Sequence, residues 1–493
     1  VETQPANDVL LPDGETGSAF FHRILSHAVG HFPGALRPAG LTNDPRVFKD
    51  SYGEATVRFE AARIAAPQRV DIARHLMHAT LDSLRLRSGG ETLPLSAALS
   101  RPAAAPDLVT HKLNGKPGLR AEIPLEGRTY SGKDALALVE RMHAEHHMTD
   151  AARAALRWVI LHIEAAGGAL DLSAHRFALL GAGAELSPLP LLLNGGATVL
   201  CIDVKPPDPR VLSNGNLAGT IVHTRRGNDL LAAPGDVVAA VRQFAEAGPV
   251  HLGLLAYAPG KGRELRIASV MNAIARALGP SVVQSLAMLI SPTAPAETQA
   301  EDLQRAQHRA GHAPRWQRAL AAGRLLPAPG HRGSGVAQVP RAIIPLQGSG
   351  YLAAQYLAKI VVAEALGAEG LDGNAAPLTL SANVAGITNT RSLSHPLFQV
   401  AFLGAPTFEV RIFEPDTTRA LNGLLMLHDL LNPEAPGAAA RKFASPVEKA
   451  RAQRTQQIHG GVYNLPWQFD AVVRTAALVG AQKRPGLLLR AFG

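Results

Sequence analysis

The residue types and spacing that could do chemistry begin at Gly181-Ala-Gly183, which follows directly on the apolar run Phe177-Ala-Leu-Leu180. A run that short reads as a fully buried parallel strand. Glycines at its end let the chain turn tightly and let a pyrophosphate approach bare backbone. Ala184 and Glu185 continue the turn, and residues 187–195 predict one short apolar helix with Pro188 in its first turn, its N-terminus facing that anion. Ala197-Thr-Val-Leu-Cys-Ile202 predicts a second strand ending on Asp203 and Val204. A carboxylate at Asp203 can accept both hydroxyls of an adenosine ribose and repels a 2′-phosphate. Strand, turn, helix, strand and acid in register make Gly181, Gly183, Ala184, Glu185, Asp203 and Val204 candidate cofactor-binding residues. The sixth position of the G-x-G-x-x-G pattern, which takes glycine or alanine, is Leu186 here. The plainer alternative is a glycine turn in a parallel sheet that binds nothing.

Elements that could position this turn must come from a chain of 493 residues, 46% hydrophobic and 18% charged. That composition affords a large core and excludes wholesale disorder. The net charge of +9 is scattered; Arg225-Arg226 is a short pair, and no basic stripe is interleaved with aromatics. Dispersed charge of this kind reads as a solvated surface, not a specific nucleic-acid site. The single cysteine, Cys201, permits no intramolecular disulfide and reads as a small buried hydrophobe, which fits a reducing compartment. The expected location is cytoplasm or, given a chain that starts at Val1 and is rich in Ala, Arg and Gly, an organelle matrix or stroma. No run approaches the roughly 18 apolar residues of a membrane span, so a soluble protein is expected. His143, His146 and His147 match no familiar zinc spacing, so no metal site is expected.

Residues 1–17 predict a loose polar tail, and 18–89 predict helices around the alternating stretch Ala55-Thr-Val-Arg-Phe-Glu60. A Pro/Ala/Gly linker is expected over 90–108, then a strand pair over 109–130 turning at Asn114-Gly115. Helices over 132–147 and 150–166 lead into the strand before the glycine turn. Further strands are expected at 220–224, 250–255, 281–290 and 378–384. Helices are expected at 234–247, 264–278, 350–366 and 419–431, with a final helix near 468–480. Residues 295–340, polar and rich in Pro and Gly, predict an insertion or lid. Strands alternating with helices in this way mean an α/β protein with a doubly wound parallel sheet (Rossmann-like), a mixed α/β N-terminal region and a loop/helix C-terminal extension. The corresponding division is 1–131, 132–432 and 433–493.

In this order, the block from about 176 to 400 resembles the short-chain dehydrogenase/reductase superfamily. Ala256-Tyr-Ala-Pro-Gly260 is similar to that family's Asn-Asn-Ala-Gly turn, which implies that Ala256, Tyr257 and Gly260 line a cofactor. Asn272 stands where the family has its helix asparagine, and Ser291, directly after a strand, where it has its catalytic serine. The helix GYLAAQYLAKIVVAEAL resembles the one that carries the family's Tyr-x-x-x-Lys, which implies catalytic roles among Tyr351, Tyr356 and Lys359. Ala385-Gly-Ile-Thr-Asn-Thr390, with Thr388, resembles the segment that covers the nicotinamide. The chain departs from the pattern in two places. The first turn is GAGAELS, not G-x-x-x-G-x-G, and Tyr351 is followed four residues later by Gln355 while Tyr356 precedes Lys359 by three. Residues three apart still share a helix face, so Tyr356 and Lys359 could cooperate; alternatively Tyr351 acts with a cation from elsewhere. Arg391, His395, Glu414 and Asp416 fall late in the chain, where substrate loops of such sheets lie.

The resemblance implies an NAD- or NADP-dependent oxidoreductase acting on a carbonyl or alcohol, with a small-molecule substrate and possible protein partners or a homo-oligomer. Asp203 favours NAD, while Lys205 and Arg225-Arg226 leave NADP open. Two alternatives stand beside it. One is a catalytically inactive subunit that serves the structure or assembly of a larger complex. The other is an S-adenosylmethionine methyltransferase, although the acid expected just before its glycine turn is replaced by Leu179-Leu180.

Overall fold

The computed structural model describes residues 7–208, 210, 217–260, 262–335 and 337–486. Its organising element is a seven-stranded sheet. The strands are β1 (Leu108–Lys112), β2 (Arg176–Leu180), β3 (Thr198–Ile202), β4 (Thr220–Thr224), β5 (Val250–Leu254), β6 (Val283–Ile290) and β7 (Thr379–Val384). Their spatial order is β7-β6-β5-β2-β3-β4-β1. Six are parallel; only β1 runs antiparallel, with Leu108 opposite Thr224 and Lys112 opposite Thr220. Counting the parallel strands alone, the order is 3-2-1-4-5-6, with the chain reversing its direction of travel between β2 and β5.

Alternate side chains of each strand enter opposite cores, as a pleated strand requires. Ala178, Leu180, Leu200, Ile202 and Val222 face one layer. Phe177, Leu179, Val199, Cys201 and Ile221 face the other. The first layer is covered by α1 (Gly17–His31), α2 (Pro45–Ala65) and α3 (Arg69–Ser83) together with helices from further along the chain. The second is covered by α4 (Gly132–Ala144), α5 (Asp150–Ala165) and α6 (Leu189–Asn194). Next come α7 (Pro234–Phe244) and α8 (Arg263–Leu278) on the first layer, then α9 (Ala300–Gly311). A long helix follows: α10 (Ser349–Gln355), a π turn (Tyr356–Ile360) and α11 (Val361–Glu369). The chain continues through α12 (Pro396–Gly404) and α13 (Pro415–Leu431), the latter on the second layer, to α14 (Phe469–Lys483). Burial on both sheet faces explains why the strands read as continuous apolar runs.

Both terminal regions share this core, which runs from Val9 to Ala476. A buried ionic cluster ties them together. Glu364 accepts from Arg63 at 3.0 Å, Arg69 at 2.7 Å and Arg454 at 2.8 Å. Arg63 also binds Glu60 at 2.7 Å, and Arg69 binds Glu297 at 2.8 Å. Three guanidinium groups face three carboxylates, which satisfies the pairing that buried charge demands.

Several local expectations are corrected. Ala55 to Glu60 lies inside α2, because its alternation is overridden by the helix's own buried face of Phe48, Tyr52, Ala55 and Phe59. No hairpin turns at Asn114-Gly115: β1 pairs with distant β4, and the hairpin is Glu122–Leu125 with Arg128–Ser131, turning at Glu126 and Gly127, both of positive φ. The presumed linker holds a strand, Glu91–Pro94, and a short helix, Leu95–Leu99. The expected tail includes a strand, Asp8–Leu10, paired with Arg85–Arg87; its first six residues lie outside the described residues. The 295–340 segment carries α9, a second helix Arg315–Ala322 and the ribbon His331–Ser334 with Ala337–Pro340. Among the described residues, no helix is long and apolar enough to cross a membrane.

Candidate functional site

The carboxyl ends of β2, β3, β5 and β6 gather the glycine turn, Asp203, Val204, the turn from Ala256 to Gly260, and Ser291, while Asn272, Tyr356 and Thr388 make their bonds elsewhere and Lys359 bonds the β6 backbone. Gly181 has φ of 90°, and a Cβ there would lie 2.4 Å from the Cα of Ala256, so the turn after β2 seats directly on the turn after β5. Most of the turn's amides are spent within the protein. Gly181 N and Ala182 N donate to Ile202 O at 2.8 and 3.2 Å, Ala184 N to Gly181 O at 3.0 Å and Ser187 N to Ala184 O at 2.9 Å. The Asp203 carboxylate accepts from Gly183 N at 2.9 Å and Val204 N at 2.8 Å. The amides of Glu185 and Leu186 have no protein acceptor among the described residues. The expected helix over 187–195 is shorter than its sequence suggested: α6 begins only at Leu189 and runs for 6 residues. Pro188, its N-cap, and Gly195, its C-cap, close it at both ends.

Glu185 is anchored from the far side of the sheet edge. Its carboxylate accepts from Arg391 N at 3.1 Å and faces the Arg391 guanidinium at 3.6 Å. Its carbonyl accepts from Arg419 at 2.8 and 3.1 Å. Val204 and Tyr257 are exposed, at 60% and 45%, and Gly183 and Gly260 are open to solvent beside them. Gly260 N donates to the Glu264 carboxylate at 2.6 Å. Thr388 turns away: it is buried, donates to Gly386 O at 3.0 Å and meets Thr418 at 2.7 Å.

Ser291, directly after β6, meets Tyr351 of α10. The Ser291 hydroxyl lies 2.8 Å from that of Thr293, which in turn donates to Gln347 at 2.8 Å. Burial raises the Tyr351 phenol above its ordinary pKa, and hydrogen bonding with Ser291, Thr293 and Gln347 offsets this only in part. Tyr257 packs edge-on to Tyr351, ring centroids 6.3 Å apart, and although the residue is part-exposed, desolvation on its packed side, with Tyr351 and Glu264 nearby, raises its phenol too. Gln355 accepts from Ser291 N at 2.9 Å, so the residue standing where the family pattern has lysine braces the serine instead.

Tyr356 and Lys359 do not cooperate as their spacing suggested. The Tyr356 hydroxyl donates to Glu60 at 2.7 Å in the fully buried ionic cluster, whereas Lys359 Nζ donates to Leu289 O of β6 at 2.6 Å. Desolvation brings the Lys359 ammonium down to about 8. Between them the helix widens into the π turn, a distortion that often marks functional segments. Asn272 of α8 braces that turn, donating to Ala358 O at 2.8 Å.

Thr293, Gln347 and Gln355 were not anticipated, since nothing in their spacing separates them from ordinary loop and helix polars. Cys201 is buried, its thiol pushed up to about 12, which makes it no nucleophile. Among the described residues, no group of three His, Cys, Asp or Glu side chains is arranged to hold a metal ion. No protein-family model matches the chain, and no curated protein matches it.

Proposed function

We propose that the chain is an NAD(P)-dependent oxidoreductase of the short-chain dehydrogenase/reductase-like type on a Rossmann-like, doubly wound sheet, and that it works as a carbonyl reductase. The observation that carries this reading is the meeting of Ser291 and Tyr351 at the carboxyl ends of the strands, beside the glycine turn. The strand order 3-2-1-4-5-6 supports it, because ligands of such sheets lie where the order reverses, here between β2 and β5.

The residues fit a dinucleotide in a particular way. Each Asp203 oxygen accepts one backbone hydrogen bond and keeps lone-pair capacity for a ribose hydroxyl. The unused amides of Glu185 and Leu186 are what remains for a diphosphate, since α6 is too short and too late to supply a helix terminus. The reduced nicotinamide would supply a hydride to the carbonyl carbon.

Tyr351 then has the proton's part. A phenol with a raised pKa stays protonated at neutral pH, donates a hydrogen bond to a carbonyl oxygen, and gives its proton as that oxygen becomes an alkoxide. Alcohol oxidation would need the phenolate, which burial disfavours. Ser291 offers a second hydroxyl to the same oxygen. Residues eight apart on a regular helix sit roughly 80° from a common face. A π turn that absorbs one residue of that offset would bring Lys359 toward the face of Tyr351.

A second reading is favoured by the spent amides of Gly183 and Ala184 and by the Arg391–Glu185 clasp over the turn. It is a catalytically silent scaffold subunit. One experiment separates the two: titrate the full chain with NADH, NADPH and S-adenosylmethionine, follow melting, then assay a carbonyl panel with the nucleotide that binds. Saturation near 100 times Kd stabilises by about 2.7 kcal/mol. The reductase reading expects such a shift with NADH or NADPH, and turnover that falls at least about 100-fold in Tyr351→Phe. Binding without turnover supports the scaffold, and no binding of either dinucleotide overturns the reductase.

A further inference from the structure

A cavity of about 900 Å³ lies between α12, the end of α4 and α9, and shares no lining residue with the Ser291–Tyr351 cluster. Its volume is that of a site for a small organic ligand. One wall is apolar, made by Phe402, Leu403, Val410 and Ile412. Arg305 of α9, Arg484, His146 and His147 line the same space.

The charges on these walls are not evenly matched. Arg411 is held by Glu126 at 2.9 Å and Glu145 at 3.4 Å, and Glu409 by Arg309 at 3.4 Å. Arg305 has no ion-pair or hydrogen-bond partner among the described residues, and its Nε is buried without an acceptor. Arg309 stands one turn along the same helix, so the two cations reinforce one another. Their field is felt by His146, which desolvation, Arg305, His143 and Arg309 keep below its ordinary pKa. His147 is held down to about 3, chiefly by burial. Both imidazoles are therefore neutral at pH 7, and the positive charge lining this space is arginine's. Arg305 thus lines it as a cation without a counter-ion among the described residues, and a cation so placed favours an anionic occupant.

We propose that this cavity binds a small amphipathic monoanion, an aliphatic carboxylate, with the carboxylate on Arg305 and the chain along Phe402, Leu403, Val410 and Ile412. The lining selects one negative charge, not two. Glu126, Glu145 and Glu409 are held by arginines, and Glu414, which has no ion-pair partner among the described residues, offsets part of the positive charge and disfavours a dianion. An Arg–carboxylate contact is a strong polar anchor, and the apolar wall contributes in proportion to the area it covers. This site does not depend on nucleotide binding at the strand ends.

The test uses the full chain without nucleotide and sodium octanoate as probe, read by titration calorimetry. Octanol supplies the same tail without charge, and octyl phosphate supplies a dianion. Octanoate is expected to bind one per chain, more tightly than either comparison compound. Arg305→Gln is expected to weaken it at least about tenfold. Leu403→Trp, which fills the space from the apolar side, is expected to abolish it, so the proposal stays testable if one variant does not fold. Absence of saturable octanoate binding overturns the proposal. So does unchanged affinity in a folded Arg305→Gln or Leu403→Trp variant. Octanol binding as tightly as octanoate, or octyl phosphate binding more tightly, overturns the carboxylate assignment.

Discussion

The Tyr356 hydroxyl donates to the Glu60 carboxylate at 2.7 Å, with both side chains sealed from solvent. That bond takes the residue which a Tyr-to-Lys spacing would place in a reaction and gives it to the cluster joining α2 to the long helix. Tyr356→Phe removes one charge-assisted hydrogen bond and is expected to cost about 1–3 kcal/mol. Urea unfolding measures the loss. Reductase turnover per folded molecule is expected to be unchanged, in contrast to Tyr351→Phe.

Lys359 gives the proposed reductase a pH signature. Desolvation lowers its ammonium to about 8, so it is charged below that pH and neutral above. If the charge assists Tyr351, kcat/KM falls as pH rises through about 8. Lys359→Met is expected to be slower throughout and to lose that limb of the profile. A wild-type profile that stays flat between pH 7 and roughly 9.5, below the ordinary range of a tyrosine, removes Lys359 from the chemistry.

Gly181 tests the seat of the turn. Its φ of 90° disfavours any side chain, and an added Cβ meets Ala256 backbone at 2.4 Å. Gly181→Ala is expected to destabilise by more than about 2 kcal/mol, because strain and overlap add. Gly260→Ala, which meets nothing within 4 Å but also has positive φ, is expected to cost less. Thermal melts of the two variants give the comparison.

Acid stability should be governed in part by a histidine inside the sheet. His251 of β5 is lowered to about 4 by burial and by neighbouring His175, and it hydrogen-bonds Ser285 at 2.8 Å. Above pH 6.5 it is neutral in folded and unfolded chains alike. As pH falls below 6.5, the unfolded chain takes up a proton that the folded one refuses until about pH 4. Stability is therefore lost over that window, by up to about 3 kcal/mol from this group. His251→Gln is expected to show a shallower loss between pH 6.5 and 4 in denaturant titrations at fixed temperature.

The central strands were legible because each is buried on both faces and written as a short apolar run, as in Phe177 to Leu180 and Val199 to Ile202. The glycine turn was legible because the chain must turn tightly after β2, and Gly181 does so with a φ of 90° where the Ala256 backbone leaves no room for a Cβ. What escaped the sequence depended on distant partners. Leu108–Lys112 carries no mark of its pairing with Thr220–Thr224, and so it read as half of a local hairpin. Tyr356 and Lys359 looked like neighbours on one face because a regular helix was assumed, and the π turn breaks that register. Gln355, Thr293 and Gln347 acquire meaning only when the end of β6 is set against α10.

The charges around Glu364 balance only when partners far apart in the chain are all present. Glu60, Arg63 and Arg69 leave the ribosome long before Glu297, Glu364 and finally Arg454. Until that last arginine emerges, a nascent chain that had already collapsed would enclose three acids with only two guanidinium groups. The amino-terminal helices are therefore expected to gain their settled packing late, and a chain cut short before Arg454 is expected to become a client of chaperones and proteases, not a smaller working protein.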